Sequence, residues 1–180
     1  MLHNSYFHIL KFYTQDINRD IYGRMLIGKI PLSPKAIANA LNDLEDQGVL
    51  KSRRQGNIKF FNLNKDNKLT FDIMVSVEIL KKIEFLSENI RLKHIFGYDE
   101  RIVGIFGSYA KKTQKVTSDL DVFIIGDKGF DYVKLGKQFD LDVSVKYFKE
   151  FNTQNPLIKE IAENHIIMNG FEEFMKLLWR

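Results

Sequence analysis

Apolar residues along this chain follow two periods, and the switches between them outline the elements. The N-terminal spacing is helical. Tyr6, Phe7, Ile9, Leu10 and Tyr13 predict a helix from Asn4 to about Tyr13. Ile21, Met25 and Leu26 predict a second, from about Asp20 to Gly28. Ile37, Ala40, Leu41 and Leu44 form the stripe of a third, which Ser33 caps, Pro34 opens and Gly48 ends. From Val49 to Leu63 two short β segments flank Gln55-Gly56-Asn57, which predicts a hairpin. Between about Leu69 and Leu92 there is neither Gly nor Pro. Apolar residues there, Phe71, Met74, Val77, Ile79, Leu80 and Ile83 among them, predict a long helix buried on more than one side.

The second half carries shorter apolar runs. Ile102 to Phe106 predicts a strand, Gly107-Ser108 a turn, and Tyr109 to Lys115 a short basic helix or loop. A second strand follows, with Asp119 and Asp121 near its start. Phe139 to Val145, FDLDVSV, predicts a third. A helix is expected from about Pro156 to Asn164, an apolar segment from His165 to Met168, and a last helix from Phe171 to Trp179.

Composition narrows the classes. The chain has 180 residues, 44% hydrophobic and 28% charged, which suits one or two globular domains with a real core. The absence of cysteine excludes a disulfide framework and thiolate chemistry. No apolar run approaches ~18 residues and the N-terminus lacks a signal-peptide layout, so a cytoplasmic protein without a membrane span is expected. The net charge of +4 is uneven: residues 1–66 hold 10 Lys and Arg against 6 Asp and Glu, and the rest hold 17 of each.

That basic bias gathers on the hairpin, at Lys51, Arg53, Arg54 and Lys59. Three helices followed by a basic hairpin resembles a winged helix-turn-helix domain. The resemblance implies that the third helix enters the DNA major groove and the wing contacts phosphate. Lys35 and Asn39, with Ser33 and Ala36, would then face DNA, and Arg53, Arg54 and Lys59 would serve the wing. Winged helices also mediate protein contacts. The long helix either packs between domains or pairs with a second copy to make a homodimer.

Strand alternation puts Asp119 and Asp121 on one face and Leu120 and Val122 on the other. Paired carboxylates are costly unless a cation lies between them, and a divalent metal is the usual answer. Gly107-Ser108 after a strand, with Asp-x-Asp about a dozen residues later, resembles the minimal branch of the polymerase-beta-like nucleotidyltransferase superfamily over roughly Ile102 to Gly170. The resemblance implies transfer of a nucleoside monophosphate from an NTP, ATP being the first expectation, to an acceptor hydroxyl on protein or nucleic acid. Gly107, Ser108 and Lys111 would meet the phosphates, and Asp119 and Asp121 would hold a pair of Mg²⁺ ions. A third carboxylate is required from a neighbouring strand. Asp140 and Asp142 are both candidates on one face, with Asp142 preferred.

The expected fold is therefore α+β: a winged helix-turn-helix over 1–66, a connecting helix over 67–96, and a nucleotidyltransferase-type α/β domain with a small mixed sheet over 97–180. The alternative function is a DNA-binding transcription regulator whose second domain only binds nucleotide or a partner protein, as in a toxin–antitoxin component. Asp127 to Gln138 is short, so elements covering a substrate are expected to be reduced.

Overall fold

The computed structural model describes residues 4–179. The chain divides into two units after Val77, inside a long helix. The first unit begins with α1 (Asn4–Tyr13), a short α2 (Gly23–Leu26) and α3 (Pro34–Asp46). An antiparallel hairpin follows, β1 (Leu50–Gln55) and β2 (Ile58–Leu63). The Ser33 hydroxyl accepts the Ala36 N–H at 3.2 Å with Pro34 in the first turn, so one orphan donor of α3 is satisfied as expected. Ile9, Leu10, Tyr13, Ile37, Leu41, Leu44 and Phe61 are buried.

The second helix is shorter than its apolar pattern predicts, because Ile21 joins the hairpin instead. Its N–H donates to the Phe61 carbonyl at 2.8 Å, and its carbonyl accepts the Phe61 N–H at 2.7 Å. The Tyr13 hydroxyl donates to the same Phe61 carbonyl at 2.8 Å, tying α1 to β2. Burial, and secondarily the nearby Asp20, pushes the Tyr13 phenol well above its ordinary range, so it stays a donor.

The long helix is α4 (Lys68–Glu88), succeeded by a 3-10 turn over Ile90–His94. Its pattern corrects the expectation of apolar burial on several sides. Ile79 and Ile83 are 40% and 57% exposed, while Glu78 and Lys81 are buried. The charged pair is accommodated because its partners are local and dry. Lys81 Nζ donates to Glu78 Oε1 at 3.0 Å and lies 2.9 Å from Oε2, and His165 Nε2 is 3.1 Å from Oε1. His165 Nδ1 lies 2.8 Å from the Ile161 carbonyl, which can only accept, so that nitrogen carries a proton.

The second unit is a sheet with helices on both faces. Its strands are β3 (Ile102–Ile105), β4 (Leu120–Ile125), β5 (Val143–Phe148) and β6 (Ile166–Asn169), in the order β5-β4-β3-β6. β3 runs antiparallel to β4 and β6, and β4 runs parallel to β5, so the sheet is mixed. The crossover between β4 and β5 contains α6 (Tyr132–Lys137). Val103, Ile105, Leu120, Val122, Ile124 and Met168 meet Phe85, Leu92, Ile95 and Tyr132 on one face. Phe106, Phe123 and Ile167 meet Ile161 of α7 (Pro156–Glu163) and Phe174 of α8 (Phe171–Leu178) on the other. Gly104 lets the Phe123 ring lie across β3, since a Cβ there would come within 2.5 Å of it. Among the described residues no helix is long and apolar enough to cross a membrane.

Candidate active site

The candidate site is built where β3 ends and β4 begins. After β3, Phe106 N–H donates to the Asp121 carbonyl at 3.0 Å, and the chain then turns sharply at Gly107, whose φ is 68°. α5 (Gly107–Ala110) starts at that glycine, two residues earlier than the sequence pattern suggests, so Ser108 lies in its first turn. The first N–H groups of such a turn lack intrahelical acceptors. A Cβ at position 107 would sit 2.4 Å from Asp121 Oδ2, so only glycine lets the turn approach the carboxylate this closely.

Asp119 lies immediately before β4 and is exposed; Asp121 lies within β4 and is half-buried. Burial raises the Asp121 pKa above its ordinary value, and the charges of Asp119 and Glu160 add to that effect against the opposing pull of Lys146. Among the described residues neither carboxylate has a side-chain hydrogen bond or ion pair. The pair therefore fits a cation. Mg²⁺ is commonly held by one or two carboxylates, with the remaining oxygens from water and substrate phosphates. No group of three or more His, Asp or Glu side chains is gathered closely enough to hold a metal by itself among the described residues.

The parallel register between β4 and β5 shows why. Asp121 pairs with Ser144, not with a carboxylate. The Leu120 N–H donates to the Asp142 carbonyl at 2.8 Å, which puts Asp142 just before β5, beside the strand end that carries Asp119. By alternation Asp142 shares its face with Ser144 and with Asp121. Asp140 sits in the preceding turn with φ 50°, off the strand. Both Asp140 and Asp142 are exposed.

Lys111 is held by α7: its Nζ lies 2.8 Å from Glu160 Oε1. Lys112 is paired with Glu88 at 2.8 Å. Glu160 and Lys146 are the site neighbours that sequence reasoning missed. Lys146 follows from alternation along β5 once that strand is placed, whereas Glu160 depends on how α7 lies on the sheet and leaves no local signal.

In the first unit, Lys35 and Asn39 are exposed one turn apart on α3. The hairpin cations do not form one patch. The register sets Arg53 opposite Phe60 and Arg54 opposite Lys59, so Arg54 and Lys59 share one face, and Lys51 and Arg53 the other. Arg53 pairs with Asp20 at 2.6 Å and lies over the Phe60 ring. Lys59 pairs with Glu45 and donates to Asn42. The exposed Arg54 makes no ion pair among the described residues.

No curated protein and no solved structure matches the chain. Residues 81–169, which contain the Gly107-Ser108 turn, Asp119, Asp121 and the β5 segment with Asp142, match the family model of the nucleotidyltransferase domain.

Proposed function

We propose that the second unit transfers a nucleoside monophosphate from an NTP, with ATP the first candidate, to an acceptor hydroxyl. The observation that carries this is the close approach of the Gly107 turn to Asp121, which with Asp119 forms a carboxylate pair that has no side-chain partner among the described residues. Backbone N–H groups of the Gly107-Ser108 turn would bind the triphosphate, and the Ser108 hydroxyl would donate to a phosphate oxygen. Asp119 and Asp121 would hold Mg²⁺, with Asp142 as the third carboxylate from the neighbouring strand end. When bound, the metal supplies charge neutralisation on the transferring group and the leaving pyrophosphate. The protein's own part is to fix the phosphates and orient the acceptor. Lys111 would contribute to phosphate binding after exchanging Glu160 for the nucleotide.

The test is incubation with α-labelled NTPs and Mg²⁺, with and without cell extract. Wild-type protein should label itself or an acceptor, and Asp119→Asn should reduce labelling at least ~100-fold with an unchanged circular dichroism spectrum. Equal labelling by the variant would refute the site.

A second function rests on Ser144. The β5 position opposite Asp121 carries a hydroxyl and not a carboxylate, which favours a nucleotide-binding regulator without turnover. NTP-dependent changes in DNA affinity, with no label transferred, would identify that case. In both versions the first unit is a winged helix-turn-helix that binds DNA through Lys35, Asn39 and Arg54, with Arg53 and Lys59 held partly in ion pairs. Ile79 and Ile83, exposed on α4, are the residues that would meet a second copy.

A further inference from the structure

The 3-10 turn after α4 carries three basic residues, Arg91, Lys93 and His94, all exposed. The His94 ring stacks on Phe139, with centroids 5.8 Å apart and planes inclined by only 14°. Ile90, Arg91, His94 and Phe139 line an open cleft of about 330 Å³. Its apolar members are poorly covered: Ile90 is 64% exposed and Phe139 40%. Arg91 and Lys93 make no hydrogen bond or ion pair among the described residues. Phe139 lies three residues before Asp142, so at ~3.3 Å per residue the cleft is within ~10 Å of chain from the β4–β5 strand ends.

We infer that this cleft binds a nucleobase together with its adjoining phosphate. The outer face of the stacked His94–Phe139 pair supplies a stacking platform, and Arg91, which lines the same cleft, supplies the counter-charge. Stacking on an aromatic face tolerates any base, so the site selects nucleic acid chemistry and not sequence. Such a unit has two sources: the NTP itself, or the end of a single-stranded nucleic acid acceptor. The role of the cleft in a reaction rests on the nucleotidyl transfer proposed above; its ligand does not.

The experiment titrates the full chain into dye-labelled tetraadenylate and, separately, measures binding of ATP with Mg²⁺. Phe139→Ala and Arg91→Ala should each weaken tetraadenylate binding about tenfold. Arg54→Ala, in the other unit, should not. Unchanged ATP affinity in the two cleft variants identifies the acceptor strand as the occupant; a parallel loss identifies the base of the NTP. Unchanged binding of both ligands, or a loss seen only with Arg54→Ala, overturns the inference. Asp119→Asn separates the two proposals: if it retains transfer, the active-site assignment fails while the cleft is still judged by its own variants.

Discussion

At position 107 a single methyl group decides whether the site can exist. The alanine Cβ would collide with Asp121 Oδ2, and its backbone would have to hold a φ of 68°. Gly107→Ala should therefore cost about 1–3 kcal/mol of stability, read as a lowered Tm, and weaken binding of ATP with Mg²⁺. A variant with wild-type Tm and affinity would show that the close approach is dispensable. Gly107, Ser108, Asp119 and Asp121 are legible in the sequence because the chemistry demands those residue types at a short separation. Glu160 is about forty residues away, on a helix whose direction over the sheet is a tertiary outcome, so no local pattern announces it. Ser144 opposite Asp121 is legible only once the register of β5 is known, because a one-residue slip would bring a different side chain to that place.

α4 shows where the period of a helix misleads. Its apolar residues are numerous enough to cover several faces, and the pattern carries no sign that Glu78 and Lys81 occupy the dry one. What makes their burial tolerable is His165, which arrives from the chain before β6 to complete the charge cluster. Burial works to raise the Glu78 pKa, but Lys81 and His165 outweigh it, and the carboxyl is held below its ordinary value. A depressed carboxylate contributes stability above its unfolded pKa, near 4.5, and loses it as the pH falls toward its folded value. Glu78→Gln should flatten that acid limb. Glu78→Ala should destabilise by roughly 3–5 kcal/mol at neutral pH, because it removes the buried anion that Lys81 and His165 face. Urea unfolding of both variants between pH 3 and pH 7, about the range of that linkage, measures each effect. Equal stability of wild type and Glu78→Ala at neutral pH would show that the cluster is energetically idle. By contrast α1, α3 and the hairpin are found as expected, since each is specified by its own caps, stripe or turn. The second helix is not, since Ile21 is taken by β2.

Across the molecule, the charge count points to the first third, but a sum cannot distinguish cations that are available from those already used. Arg53 and Lys59 are neutralised within the unit, whereas Lys35 and Arg54 are not paired among the described residues. Duplex DNA titrations at several salt concentrations should therefore show Lys35→Ala and Arg54→Ala each lowering the salt slope by about 1, with a smaller change for Arg53→Ala. An Arg53→Ala effect as large as that of Arg54→Ala would mean that DNA readily displaces Asp20. The strands of the second unit are legible from its runs of apolar residues; their order and pairing sense are not, because both depend on tertiary connections such as the crossover through α6. That order places β5 at the margin of the sheet, with one side of its backbone unpaired by any neighbouring strand among the described residues. A strand of alternating valines in that position is a template for another chain. Lys146, set midway along it and exposed, is the kind of charge that discourages such edge-to-edge growth, so the residue beside the carboxylate site also guards the protein against aggregation.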